Sequence, residues 1–123
     1  MIKILIVDDS RTSRKILKGI LENAGYEVIG EATNGQEGYD RYVELKPDVV
    51  TMDITMPVLD GIEALKKIKG EYPEAKVIMV TAAGQKTKMV EAVQNGANEF
   101  VSKPFEPEQL KACLLYTSPS PRD

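Results

Sequence analysis

The 123-residue sequence contains no histidine, and it has a single cysteine, Cys113. Without histidine, the Ser-His-Asp and Cys-His catalytic mechanisms and a phosphohistidine on this chain are excluded, and an intrinsic zinc site is disfavoured. One cysteine cannot form an internal disulfide, which agrees with a reducing compartment. Any chemistry on this chain must therefore use carboxylates, hydroxyls and lysines.

Long apolar runs and basic clusters are also missing. No run approaches the roughly 20 residues of a membrane span, and the strand-like start at Ile2 is unlike a signal peptide. A net charge of −3 without a basic run argues against nucleic acid as a partner. With 42% hydrophobic and 28% charged residues, the composition predicts one soluble globular domain that is cytoplasmic and does not bind membranes.

Five apolar, strand-like runs alternate with five segments of helical periodicity. The predicted strands span residues 2–7, 27–32, 49–53, 76–80 and 99–101, and the predicted helices span about 11–24, 36–45, 61–72, 86–95 and 107–115. Short connections and mostly all-apolar strands predict an α/β fold in which helices cover both faces of a parallel sheet. Because Gly30 and Glu31 interrupt the second strand, we expect that strand at an edge of the sheet.

Apolar residues at helical spacing predict which faces of the helices are buried. Residues three or four positions apart share one face of a helix, so we expect such apolar sets to pack against the sheet. In the fourth helix the set is Met89, Val90 and Val93. In the first helix the set is Ile16, Leu17, Ile20, Leu21 and Ala24.

Polar side chains stand at the carboxyl ends of four predicted strands. They are Asp8 and Asp9, Asp53, Thr81 and Lys103. An isolated aspartate in such a place is commonly a turn or helix-capping residue. Four strands ending in this way favour a shared site, because ligands of parallel sheets bind in the crevice beyond the carboxyl ends of the strands.

The residue types at these strand ends indicate the chemistry. Two carboxylates roughly 4 Å apart repel by about 4 kcal/mol at moderate dielectric, so a cluster of three acids favours the binding of a cation that offsets the repulsion. Oxygen ligands favour a hard ion, and a small site completed by water and phosphate suits Mg²⁺ better than Ca²⁺. A carboxylate beside Mg²⁺ can attack phosphorus, and the Lys103 ammonium and the Thr81 hydroxyl can stabilise the transferred group.

Four motifs occur in an order and spacing that resemble the receiver domain of two-component response regulators. They are Asp8-Asp9, residues 52–57 (MDITMP) with Asp60-Gly61, Val80-Thr81-Ala82, and Lys103-Pro104-Phe105. The resemblance covers Ile2 to about Leu115 and, within the family, is strongest to small stand-alone chemotaxis regulators. It implies a flavodoxin-like, doubly wound sheet of five parallel strands in the order 2-1-3-4-5, and a signalling domain rather than an enzyme.

The resemblance also implies roles for the residues at the strand ends. Asp53 is expected to be the phosphoacceptor, and Lys103 is expected to pair with the phosphoryl group. Mg²⁺ is expected to bind Asp9, Asp53 and the backbone carbonyl of Thr55, with Asp8 acting through the water shell of the ion.

A switch is implied by the same resemblance. A phosphoryl group on Asp53 would draw the Thr81 hydroxyl toward it and leave space for the ring of Phe100. Many family members have tyrosine at this position, whereas Phe100 has no hydroxyl and can signal phosphorylation only by a change in the burial of its ring. The alternative is that Phe100 is a permanently buried core residue. The surface of the fourth helix, fifth strand and fifth helix would then differ between the two states. The family's Lys-Pro peptide is usually cis, which is expected of Lys103-Pro104.

The implied partners are a CheA-like histidine kinase as phosphodonor and an output protein such as a flagellar motor switch component, with the chain itself a monomer. We expect residues 1–116 to form the receiver domain. Residues 117–123 contain two prolines and no apolar periodicity, which predicts a disordered tail. The stretch Leu114–Asp123 resembles a translated adapter, so the tail is expected to be non-native.

Three alternatives stay open at this point. The first is the receiver domain of a larger, truncated response regulator with a transcriptional or enzymatic output. The second is an aspartate-nucleophile phosphatase of the dehalogenase type, which would want a second acid where Thr55 follows Asp53 by two residues. The third is a nucleotide-binding domain, which would want a glycine-rich loop in place of Asp8-Asp9-Ser10.

Overall fold

The structure is a computed structural model that describes residues 2–54, 56, 58–82, 85–103 and 105–117. Strands and helices alternate strictly along the chain. The strands are β1 (Lys3–Val7), β2 (Glu27–Ala32), β3 (Val49–Asp53), β4 (Val77–Thr81) and β5 (Glu99–Ser102). The helices are α1 (Arg11–Asn23), α2 (Gly35–Leu45), α3 (Gly61–Glu71), α4 (Lys86–Gln94) and α5 (Pro107–Thr117). None of the helices within these ranges has the length and apolar character needed to cross a membrane.

The five strands form one parallel sheet in the order β2-β1-β3-β4-β5, which confirms the predicted fold. β3 and β4 are buried along all five residues, as expected for the mostly apolar central strands of a sheet covered on both faces. β2 lies at the edge where the sequence placed it. Its register with β1 shifts between Ile4 and Leu5, where Leu5 pairs with Gly30.

Each face of the sheet carries its own apolar core. On one face, β1, β3 and β4 contribute residues such as Val7, Met52 and Met79, which pack against α2, α3 and α4. On the other face, Ile6 and Ile78 belong to a second cluster formed with α1 and α5. The chain order reverses direction across the sheet between β1 and β3, which is where ligands bind in doubly wound sheets.

Two predicted inward faces are wrong in part. Ile16 of α1 is 51% exposed, and Val90 and Val93 of α4 are 52% and 56% exposed. In α1 the other predicted positions Leu17 and Leu21 are buried as expected, whereas in α4 the buried apolar residue is Ala92, which was not predicted. Adjacent residues lie about 100° apart around a helix axis, so in α4 the choice of Val93 instead of the adjacent Ala92 rotates the predicted face, whereas in α1 only Ile16, at the margin of the face, is wrong.

Candidate phosphoacceptor site

The sheet register brings the polar strand ends to one edge. Val7, directly before Asp8, pairs with Met52, directly before Asp53. Thr81 ends β4 and pairs with Ser102, directly before Lys103. Because the strands are parallel neighbours, residues that follow paired positions emerge side by side. The predicted convergence at the carboxyl edge is therefore a consequence of the register.

The three acids form a compact cluster. Asp8, Asp9 and Asp53 each offer a carboxylate oxygen, and these oxygens all lie within 4.8 Å of one another. Asp8 is 2% exposed and Asp53 is 8% exposed, whereas Asp9 is exposed. At such distances each pair of ionised carboxylates repels by about 3 kcal/mol at moderate dielectric, so positive charge is needed to hold the cluster together.

Lys103 supplies part of that positive charge. Its Nζ lies 3.1 Å from Asp8 Oδ2 and 3.7 Å from Asp53 Oδ2. The Lys103 backbone amide donates to the Thr81 carbonyl at 2.8 Å, which fixes the residue just beyond the paired ends of β4 and β5. One ammonium is therefore shared between two buried carboxylates, one of which, Asp53, is the predicted phosphoacceptor.

The pKa of Asp53 is raised from 3.8 to about 6. Burial is the largest cause, because it disfavours the charged carboxylate, and the charge of Asp8 acts in the same direction. The Lys103 ammonium lowers the pKa and so opposes both effects, Asp9 raises it further, and a hydrogen bond from the Ile54 amide lowers it. Without a further cation, Asp53 is ionised at neutral pH at an electrostatic cost.

The close approach of Gly61 helps to position Asp53. Gly61 is the first residue of α3, and its amide donates to the Ile54 carbonyl at 2.7 Å. A Cβ at this position would lie 2.0 Å from the Asp53 carbonyl oxygen, which no side chain can tolerate without moving the strand end. The structure therefore requires glycine at this position for the close approach of the two backbone segments.

Thr81 and Phe100 occupy the region assigned to a switch. Thr81 is 3% exposed, and its hydroxyl donates a long hydrogen bond of 3.5 Å to the Val101 carbonyl. It also lines an open cavity of about 570 Å³ together with Met89 and Lys103. Phe100 is half-buried and packs against the core cluster on the α4 side of the sheet. Half-burial is compatible with a ring that can move further inward.

Sequence reasoning missed Arg14, a helical residue whose role depends on a backbone acceptor. Its Nη1 donates to the Asp8 carbonyl at 2.7 Å, and its Nε donates to Glu31 Oε1 at 3.0 Å.

The Thr55 carbonyl, the Lys103-Pro104 peptide and the tail of residues 118–123 lie outside the described residues, so the predictions about them stay predictions.

The acid cluster fits a hard divalent cation. The chain has no histidine, and the clustered donors are all carboxylate oxygens, the ligand type that Mg²⁺ prefers. Asp8 Oδ1 accepts a hydrogen bond from the Ser10 amide at 2.8 Å. Asp8 Oδ2 is buried and makes no hydrogen bond within the described residues, although it forms the ion pair with Lys103. A buried carboxylate oxygen left in this state is suited to a cation or to water bound by one.

Fold and site together define a parallel α/β domain with a carboxylate, an ammonium and a hydroxyl around one crevice. Residues 4–115 match the family described as response regulator receiver domain, and the chain belongs to that family. The chemotaxis protein CheY of Thermotoga maritima is 51% identical over 112 residues, covering 91% of this chain and 93% of that protein. The family and this relative identify the chain as a phosphoacceptor switch of two-component signalling.

Solved structures agree with this assignment. The response regulator domain of Thermotoga maritima CheB is 39% identical with a TM-score of 0.86, covering 98% of this chain and 99% of that one. A chain of the CheX-CheY-BeF3-Mg complex from Borrelia burgdorferi is 34% identical with a TM-score of 0.88, covering 93% of this chain and 87% of that one. Receivers of both stand-alone and larger regulators therefore share this fold.

Proposed function

We propose that Asp53 accepts a phosphoryl group from a CheA-like histidine kinase and that the phosphorylated chain acts in the cytoplasm in chemotaxis signalling. The observation that carries this proposal is the placement of the Asp53 carboxylate within 4.8 Å of the Asp8 and Asp9 oxygens and 3.7 Å from the Lys103 ammonium. A nucleophile, a cation-binding cluster and a fixed positive charge are the parts that phosphoryl transfer requires.

In the transfer step, a carboxylate oxygen of Asp53 forms the new O–P bond while the P–N bond of the donor's phosphohistidine breaks. The imidazole leaves as a neutral base after taking up a proton. Lys103, which is held between Asp8 and Asp53, can pair with a phosphoryl oxygen after a small movement of its side chain. The Thr81 hydroxyl at the neighbouring strand end can donate to another of these oxygens.

Asp8, Asp9 and Asp53 would hold Mg²⁺, together with the Thr55 carbonyl that the family resemblance predicts. When bound, the ion supplies positive charge that offsets the repulsion among the acids and the charge of the incoming phosphoryl group. The carboxylates of this chain orient it, and the high pKa of Asp53 is consistent with a site that is completed by a cation. We also propose that the chain catalyses only its own phosphorylation and dephosphorylation.

The output step would begin at Thr81. Its present hydrogen bond to the Val101 carbonyl is long, at 3.5 Å, so exchanging it for a charged phosphoryl oxygen costs little. Phe100 could then move deeper beside β4 and change the surface of α4, β5 and α5. We propose that this surface binds an output protein such as a flagellar motor switch component, in line with the chemotaxis relatives.

A receiver domain within a larger response regulator is the second candidate. It is favoured by the likeness to the response regulator domain of CheB, which matches nearly all of this chain. The site chemistry is the same in both cases, and only the output differs. The division into a receiver of residues 1–116 and a non-native tail of 117–123 remains part of this proposal.

The test of the phosphorylation step is incubation with acetyl phosphate and Mg²⁺, followed by intact mass measurement and peptide mapping. We expect one added phosphoryl group on Asp53, and none after Asp53→Asn substitution or addition of a chelator. Asp40→Asn is the matched control, because Asp40 is an exposed acid on α2. Labelling of Asp53→Asn at the wild-type level would contradict the proposal, and repeated turnover of phosphate esters would favour a phosphatase instead.

The test of the output step uses Thr81→Val, which keeps the shape of the side chain but removes its hydroxyl. We expect this variant to be phosphorylated and yet to show no phosphorylation-dependent retention of a flagellar motor switch component in a pull-down. Wild-type protein should retain that component more strongly after phosphorylation. Equal retention by phosphorylated and unphosphorylated wild type would contradict the switch.

A further inference from the structure

Arg14 connects the acid cluster to the edge of the sheet. Its guanidinium donates from Nη1 to the Asp8 carbonyl at 2.7 Å and from Nε to Glu31 Oε1 at 3.0 Å. The Arg14 side chain is only 14% exposed, and its contact with the Asp8 carbonyl is partly buried, whereas the Glu31 side chain is 38% exposed. A planar, two-pronged donor of this kind holds its acceptors in fixed relative positions.

The contact with Arg14 completes the restraint of Asp8. The Asp8 amide donates to the Ala32 carbonyl at 3.0 Å, and Asp8 Oδ1 accepts from the Ser10 amide at 2.8 Å. Arg14 fixes the remaining backbone group, the carbonyl, which belongs to the peptide that joins Asp8 to Asp9. The orientation of that peptide determines where both carboxylates leave the backbone.

We propose that Arg14 is a positioning residue for the divalent cation site, acting through the Asp8–Asp9 peptide. This inference rests on the proposed function, because it assumes that the acids bind Mg²⁺. Groups that orient metal ligands without touching the metal typically change metal affinity about 10-fold to 100-fold when removed.

The sign of the effect separates positioning from simple electrostatics. Arg14 is a cation close to a cluster of acids, so its charge alone disfavours a second cation at that cluster. If charge were its only influence, removing Arg14 would tighten Mg²⁺ binding. If Arg14 positions the Asp8–Asp9 peptide, its removal weakens Mg²⁺ binding despite the loss of a positive charge.

Three variants test this distinction. Arg14→Met removes both the charge and the hydrogen bonds. Arg14→Lys keeps the charge but lacks the planar guanidinium, whose Nη1 and Nε donate in fixed directions to the Asp8 carbonyl and to Glu31. Lys18→Met is the matched control, because Lys18 Nζ lies 4.0 Å from the same Glu31 carboxylate, whereas the hydrogen bond to the Asp8 carbonyl comes from Arg14. Mg²⁺ affinity is measured at constant ionic strength by competition with Mn²⁺, whose free concentration is followed by electron paramagnetic resonance. The far-ultraviolet circular dichroism of each variant establishes that it is folded at the temperature used.

We expect Arg14→Met to weaken Mg²⁺ binding about 10-fold, Arg14→Lys to weaken it to a similar extent, and Lys18→Met to change it less than about 2-fold. Unchanged or tighter binding in Arg14→Met, or wild-type affinity in Arg14→Lys, would overturn the positioning role. If Arg14→Met does not fold, Arg14→Lys decides alone by the same criterion. Failure of the wild type to bind Mg²⁺ would instead overturn the proposed function.

Discussion

Asp53→Asn should stabilise the cation-free protein, although it removes the residue to which we assign the chemistry. Burial and the charge of Asp8 raise the pKa of Asp53 from 3.8 to about 6, against the opposing effect of Lys103. A difference of about two pKa units corresponds to about 3 kcal/mol, which screening in an open pocket reduces to about 2 kcal/mol. Asparagine has nearly the same shape and avoids this cost, so the free energy of unfolding should rise by that amount at neutral pH.

The pH dependence of this gain follows from linkage. Because the folded state holds the Asp53 proton more tightly than the unfolded chain, the contribution of Asp53 to stability is largest below about pH 4 and is lost as the pH rises toward about 6. The difference between Asp53→Asn and wild type should therefore be near zero at the acidic end and constant above about pH 6.5.

Urea unfolding in the presence of a chelator, followed by circular dichroism across this pH range, measures the effect. The corresponding rise in the midpoint of thermal unfolding is about 8 °C for a domain of this size. Added Mg²⁺ should stabilise the wild type and leave Asp53→Asn nearly unchanged, since a ligand stabilises only the state that binds it. An Asp53→Asn variant that is less stable than wild type at neutral pH, or a gain that does not depend on pH, would refute the electrostatic reasoning.

Three further predictions concern stability and are tested by the same unfolding measurements. Gly61→Ala should lower the free energy of unfolding by about 2 kcal/mol or more, because the added Cβ would lie 2.0 Å from the Asp53 carbonyl oxygen. Its control, Gly70→Ala on the same helix, places the Cβ in open space and should raise the free energy of unfolding by roughly 0.5 to 1 kcal/mol. Val58→Asn should raise the free energy of unfolding by about 1 kcal/mol, because asparagine adopts the φ of 69° at this position more readily than the β-branched valine. Val58 is 82% exposed, so little packing is lost. Thr51→Val should stabilise by about 1 kcal/mol, because the Thr51 hydroxyl is buried without a hydrogen-bond partner among the described residues. The opposite sign in any of these variants would contradict the local account.

The site could be predicted from the sequence to the extent that it depends on strand ends. The sequence shows an apolar run that ends in Asp53 and other such runs that are followed by Asp8 and Lys103. Parallel pairing of the strands brings these ends together. The contribution of Arg14 could not be found in this way, because its acceptor is the backbone carbonyl of Asp8, which every residue type possesses. A helical arginine therefore looks like any solvated side chain.

The buried face of α4 was predictable only to within one position. Ala92 and Val93 are adjacent and both apolar, and the sequence does not say which faces the sheet. The choice depends on the angle at which α4 packs, which is a property of the tertiary structure. The reason for glycine at position 61 was ambiguous in a similar way. A glycine in the sequence indicates either a positive φ or a close backbone approach, and only the structure shows that Gly61 is a case of close approach.

The most direct test of the account is a crystal structure of the protein with Mg²⁺ and beryllofluoride, a stable mimic of a phosphoryl group. We predict beryllofluoride bonded to a carboxylate oxygen of Asp53, with Lys103 and Thr81 contacting its fluorides and Mg²⁺ bound among the acids. Beryllofluoride on another carboxylate, or Mg²⁺ bound away from Asp9 and Asp53, would contradict it.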